Sequence, residues 1–375
     1  MAVTWFAGFE NGSIKEFTND PSANTSIEST LFYTGAYSAK IIQTNVDAAQ
    51  SGTGFASSTL FTLGHHRFHI TTPPASQSDY LILQTVTAVG AAILVVYLRI
   101  TAAGVLSLVL NNNVTPVDIG SPFPVSQDTW YTIETKTVIS ATIGIVELKV
   151  NGMVVATGSS LNTGVANIDS VYWSVYRGAG VNSLVAQHFV DDLICGNTAY
   201  FVQGGCIARQ GKAGTPTYDT FTKVGAATAA LCWSDTPFSA ATNCTSITSG
   251  GAQTMLTASF SVVQAGHGTE IVNTQDVIVS CKTALVAKVG VGSSQSIRRR
   301  IGGVDTDTAK TITTSDAYYE DAVFTATLDN LNTAEIGMLH GANVNLLTAE
   351  DLWIMLYFQA VQVSKQGLLL LGVWN

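Results

Sequence analysis

Three carboxylates stand out as groups that could do chemistry together. Asp191 and Asp192 are adjacent in Gln187-His188-Phe189-Val190-Asp191-Asp192-Leu193-Ile194-Cys195-Gly196, a strand-like run that stops at a glycine. Glu10 lies in Phe6-Ala7-Gly8-Phe9-Glu10-Asn11-Gly12, about 180 residues upstream. If the two runs are the first and last strands of one β-sandwich, the three carboxylates converge at one edge. Such a cluster suits Ca²⁺, which takes six to eight oxygens from carboxylates and backbone carbonyls. Two acids flanking a bond are also what a glycosidase uses. The bland alternative is that Asp191 and Asp192 accept backbone N–H bonds and cap loops.

A second group is His65-His66-Arg67-Phe68-His69. Alternation along a strand sends His65, Arg67 and His69 to one face and His66 and Phe68 to the other. A strand start accounts for this run more simply than a metal site. Aromatic residues are the third group. Tyr80, Tyr97, Tyr172 and Tyr176 are the candidate sugar-stacking residues, since such sites combine flat aromatic faces with a few polar groups. Trp130 and Trp173 read better as core. No Ser-His-Asp order, nucleophile elbow, Gly-rich phosphate loop or Walker pattern is present, and the expectation is that the chain is not an enzyme.

The elements that position these residues are strands. Short apolar runs separated by turn residues recur from Thr4 to Ile194. Val146-Glu147-Leu148-Lys149-Val150 alternates apolar and charged residues. It leads into Asn151-Gly152, the strongest two-residue hairpin signal. The apolar window 89–110 holds Arg99 and an Ala102-Ala103-Gly104 turn, so it reads as two strands rather than a membrane span. The expected class is all-β, with units at 1–198 and 221–375 joined by a Gly-rich linker at 199–220. Thr333–Met338 reads as a short helix.

Composition bounds the partners. The chain has 375 residues, of which 46% are hydrophobic and only 11% charged. Ordinary domains carry about 25% charged residues, so a surface largely covered by neighbours is expected: a homo-oligomer, with a trimer as the guess. A net charge of −9 and a pI near 5.0 exclude nucleic acid as the main partner, because phosphate contacts need clustered cations. The one basic cluster, Arg298-Arg299-Arg300, reads as a solvated loop or an ion-pairing patch, with a specific anion or phosphate site as the alternative. The five cysteines, Cys195, Cys206, Cys232, Cys244 and Cys281, form no CxxC pair, which suits reduced thiols rather than a metal centre. No basic-then-apolar leader opens the chain, and no membrane insertion is expected. The apolar tail Gly367–Trp374 reads as a closing strand or as one that docks on another subunit.

Five motifs in order carry a resemblance. They are Gly8-Phe9-Glu10-x-Gly12, Tyr33-Thr34-Gly35-Ala36-Tyr37-Ser38-Ala39-Lys40-Ile41, Trp130-Tyr131-x-Ile133-Glu134, Val146-x-Leu148-x-Val150-Asn151-Gly152, and Phe189-Val190-Asp191-Asp192-Leu193. Together they resemble a concanavalin A-like (laminin G-like) jelly roll over about 1–198. They also resemble carbohydrate-binding modules with a "GFE-x-G" opening and an "IDDL" close. That resemblance implies a structural calcium on Glu10 and Asp192, with Asn11 or Lys40 carbonyls completing it. It also places these acids at the sandwich edge, away from the sugar-binding concave face.

The C-terminal part resembles a recurrent β-rich domain of tailed-phage virion proteins through Trp233-Ser234-Asp235, the apolar run 277–286, Ala317-Tyr318-Tyr319-Glu320 and Leu347–Trp353. Leu352 interrupts the closing pattern, and the acidic "PDGDG" loop is replaced by Lys212-Ala213-Gly214-Thr215-Pro216. This resemblance implies a structural virion protein, tail- or fibre-associated and assembled in the host cytoplasm, contacting other virion proteins and host-surface glycans. A capsid decoration or head-fibre protein, and the carbohydrate-binding module of a secreted enzyme, are the alternatives.

Overall fold

The computed structural model describes residues 3–9, 11–17, 25–33, 36–43, 49–72, 80–87, 93–101, 103–111, 116–177, 186–197, 204–210, 217–218, 220–224, 243–246, 253–259, 277–291, 293–341 and 346–359. The fold is all-β: a jelly-roll sandwich followed by a second two-sheet unit. The front sheet of the jelly roll runs, edge to edge, Ala49–Ser58, Ile168–Arg177, Tyr80–Thr87, Ile93–Ile100, Val105–Leu110 and Val117–Pro124. The back sheet runs Met153–Leu161, Gly144–Val150, Trp130–Val138, Leu60–Thr72, Ala186–Asp191, Ser38–Gln43 and Thr25–Glu28.

The opening and closing strands meet as the sequence implies. Val3–Ala7 pairs antiparallel with Leu193–Gly196, with Phe6 opposite Ile194 and Ala7 opposite Leu193. Leu193–Gly196 then continues onto Leu60–Thr72, which ties both to the back sheet. The Asn151-Gly152 turn has φ of 51° and 79°, the left-handed pair that a type I′ hairpin needs, and it sets Val150 opposite Met153. Alternate residues of both sheets fill one core, including Trp5, Phe61, Phe68, Leu98, Leu108, Ile133, Leu148 and Trp173. The window 89–110 holds two paired strands, Ile93–Ile100 and Val105–Leu110. Among the described residues no helix is long and apolar enough to cross a membrane.

In the second unit one sheet runs Thr222–Val224, Asn243–Ser246, Leu347–Gln359, Val277–Val289 and Ala317–Glu320, with Gly204–Gln210 also on Leu347–Gln359. The other runs Gln253–Ser259, Glu335–His340, Ser293–Ile301 and Val304–Ile312. Leu285, Ile297, Ile336, Met338, Ile354 and Leu356 fill the space between them.

Two sequence expectations change. The 199–220 linker contains a strand, Gly204–Gln210, paired with Leu347–Gln359. The helix expected at Thr333–Met338 is a strand from Glu335 onward, and the short helix is Leu328–Asn332, capped by the Thr327 hydroxyl. Core packing explains the strand: Ile336 and Met338, two residues apart, both enter the second core, paired with Arg299 and Ile297.

The units join along an apolar seam. The outer face of the second unit's larger sheet presents Ala284, Met355 and Tyr357 to Phe6 and Ile194, with Cys206 between them. Phe6 and Tyr357 pack edge to face at 6.3 Å.

Candidate functional site

The front sheet positions the candidate sugar-stacking residues. Its inward residues Val96, Leu98, Ile100, Leu106, Leu108, Ile119, Val171 and Trp173 belong to the core. The alternate residues therefore face outward. Ladder register aligns them in rows. Tyr172 pairs with Gln84, and Gln84 with Tyr97. Tyr97 pairs with Val109, and Val109 with Asp118. A neighbouring row runs Tyr176, Leu81, Arg99 and Ser107.

Three residues in the middle of this face are little exposed. Tyr97, Ser107 and Val109 are buried although they lie outside the core cluster. Tyr172 and Arg99 are half-buried, and Asp118 is exposed. Arg99 is held by a two-pronged contact, its Nη2 standing 2.7 Å from each Asp118 carboxylate oxygen. Tyr97 and Tyr172 thus share one face, and Tyr176 holds a register position in the neighbouring row. Tyr80 pairs with Ile100, a core residue, and its side chain lies outside what the structure describes. Arg99 and Asp118 were not singled out in the sequence, because only register joins two residues from separate strands.

The acidic strand end is built differently. Asp191 and Asp192 are both fully buried. Asp191 Oδ2 accepts from Tyr33 N at 2.8 Å and Oδ1 accepts from Asp192 N at 2.8 Å. Asp192 has φ 51°, a left-handed position that Asp tolerates better than most residues. Its Oδ1 accepts from Cys206 N at 2.8 Å, and its Oδ2 stands 3.9 Å from Arg67 Nε. Both carboxylates therefore tie loops and strands together through backbone donors. Glu10 lies outside the described residues. Among the described residues no three His, Cys, Asp or Glu side chains cluster in a way that could hold a metal ion.

The histidine strand alternates as its sequence implies. His66 and Phe68 turn into the core, where His66 meets Trp173 edge-on at 6.0 Å. Burial holds His66 well below the usual histidine range, with His188 nearby pushing the same way. Burial alone pushes His188 down to about 3. Arg67 takes the other face, bonded to Thr132 and stacked 4.3 Å over the Tyr33 ring. His69 packs on Trp130 at 5.1 Å.

The Arg298-Arg299-Arg300 cluster is an ion-pairing patch. Arg298 bonds Asp307, Arg299 bonds Asp321, and Arg300 bonds Asp305 at 2.7 Å. Its charge is answered within its own sheet and the adjoining loop. Cys195, Cys206 and Cys281 are buried free thiols, and burial raises the pKa of each.

No protein-family model and no curated protein matches the sequence. Solved structures similar to part of it include the endo-β-1,4-glucuronan lyase of the fungus Trichoderma reesei, at 15% identity over 48% of this chain and 90% of that one, TM-score 0.39. An alginate lyase matches at 11% identity over 51% of this chain and 96% of that one, TM-score 0.41. The third is a botulinum neurotoxin type C structure whose cell entry is described as dependent on two ganglioside molecules. It matches at 12% identity over 48% of this chain and 44% of that one, TM-score 0.36. None of these is a virion protein, and the phage resemblance gains nothing from them. The expectation that the chain is not an enzyme is corrected here, because polysaccharide lyases stand among the similar structures.

Proposed function

We propose that the first unit binds a polysaccharide along the outer face of its front sheet. The observation that carries this reading is the placement of Tyr172 and Tyr97 on the face turned away from the core, aligned in register through the strand between them. Tyrosine rings on such a face offer flat surfaces for sugar rings and hydroxyls that hydrogen-bond to theirs.

Charge narrows the ligand class to neutral glycans. The six strands of the front sheet carry four charged residues, Arg99, Arg177, Asp118 and Asp169. Two positive and two negative charges cancel, and Arg99 is already matched by Asp118. A polyuronate would need cations in excess to answer its carboxylates. Retention of the full chain on neutral and uronate polysaccharides, with each mixture also read for newly formed chain ends, tests binding and turnover together. Binding to neutral polymers supports the reading, and binding to none overturns it.

The tail, fibre and head-decoration readings are supported by sequence motifs and low charge content. Gold labelling of intact particles with an antibody to residues 1–198 tests them.

A further inference from the structure

The seam between the units contains a buried cluster of charges that the glycan reading leaves unused. Glu16 comes from the first unit. It sits in the single 3₁₀ turn Ile14–Glu16, which is capped by the Ser13 hydroxyl accepting from Lys15 N at 3.1 Å. Lys282 comes from the second unit's strand Val277–Val289 and Glu320 from the strand beside it. Lys282 Nζ stands 3.3 Å from Glu16 Oε2 and 2.7 Å from Glu320 Oε1. Glu16 and Lys282 are essentially sealed from solvent, and the Glu320 side chain is 14% exposed.

The surroundings are specific. Tyr318 Oη donates to the same Glu320 Oε1 at 2.7 Å and accepts from Asn11 Nδ2 at 3.1 Å, which carries the network back into the first unit. Lys282 Nζ also lies over the rings of Phe6 and Trp5, at 5.1 and 5.7 Å. Among the described residues, the groups facing Glu16 are thus Lys282, Glu320 with its Tyr318 partner, the Gly8 backbone and the Cys206 thiol. Two carboxylates share one ammonium. With both ionised the cluster carries a net negative charge away from water, which is costly. With one proton added it is neutral.

We propose that Glu16, Lys282 and Glu320 form a proton-operated joint: with one proton held on the carboxylates the seam is closed and neutral, and loss of that proton loosens the second unit from the first. Burial raises the Glu16 carboxyl to about 7 from 4.5, against the pull of Lys282. Burial would lower Lys282, but Glu320 and Glu16 outweigh it, and its pKa is raised. The ammonium therefore stays charged throughout. A carboxyl raised in the folded state binds its proton there more tightly than in the unfolded chain. Its contribution is therefore greatest at acid pH, declines between pH 4.5 and about 7, and is gone above that window. Each pH unit across it changes the closed-to-open ratio by up to about tenfold.

The test uses the full chain. Melting temperature and hydrogen exchange at Val3–Ala7 and Gly204–Gln210 are followed against pH in the wild type and in Glu16→Gln. The wild type should lose protection of these strands as pH rises through about 7, and Glu16→Gln should show no such step. A step that persists unchanged in Glu16→Gln overturns the joint. If that variant does not fold, isotope-edited infrared of the wild type decides. A protonated carboxyl band that disappears at alkaline pH supports the proposal, and its absence at all pH values overturns it. An intact mass lighter than the sequence by one water would also overturn it, because Lys282 would then be joined covalently to a carboxylate.

Discussion

A β-carbon built on Gly8 would stand 2.2 Å from Cys206 Cβ and 3.4 Å from Cys206 Cα. The glycine in the opening motif is therefore a contact between units, where the first strand of the sandwich admits the first strand of the second unit. Gly8→Ala should push Gly204–Gln210 off the seam. Overpacking of this kind costs ~1–3 kcal/mol. Denaturant titration of the full chain should show that loss, and an unchanged midpoint would mean that the seam is not tight there.

Asp191→Ala should destabilise strongly. It strands the backbone donors of Tyr33 and Asp192, and each buried donor left without its acceptor costs ~1–3 kcal/mol. The same strand end tests the calcium expectation. With both Asp191 oxygens and one Asp192 oxygen engaged by backbone N–H groups, chelator should leave the melt unchanged. A lower melting temperature in chelator would instead place a cation on Asp192 and Glu10, since a ligand bound only by the folded state stabilises it.

Lys282→Met should be more damaging than a surface lysine change. It leaves Glu16 and Glu320 facing each other with no cation in a buried seam. Removing one partner of a buried pair costs ~3–5 kcal/mol. The double variant Lys282→Met with Glu16→Gln should recover part of the loss, and a cycle with no coupling would contradict the contact.

Acid should weaken the first unit through its histidines. His66 and His188 are neutral in the core, with pKa values depressed by burial. A base whose pKa is depressed on folding contributes stability above its unfolded value of 6.5 and loses it as pH falls toward the folded value, which for His188 is about 3. This runs opposite to Glu16. His188→Leu should flatten the acid limb of the stability profile, and an unchanged limb would assign acid unfolding elsewhere.

Much of the first unit was legible because its strands announce themselves. Val146–Val150 alternates, Asn151-Gly152 turns, and the Val3–Ala7 and Leu193–Gly196 runs are apolar enough to be read as partners. Ala49–Ser58 was not legible: Ala-Gln-Ser-Gly-Thr-Gly-Phe-Ala-Ser-Ser carries no apolar alternation and is held by pairing with Ile168–Arg177. Val117–Pro124 was hidden by its two prolines, which an edge strand accommodates because its outer side donates no ladder bonds. The tyrosines could be named from composition, but only register decides their faces. Arg99 pairs with Asp118, and Glu16 with Lys282, across separations that no local pattern encodes.

The most direct measurement is equilibrium binding of the full chain to a neutral polysaccharide that it retains, compared with Tyr172→Ala. Tyr172 is half-buried on the outer face, so its loss should spare the fold. The account predicts an unchanged melt and affinity lower by about tenfold or more, equivalent to ~1.4 kcal/mol. Equal affinity in the variant would contradict a binding site on the front sheet.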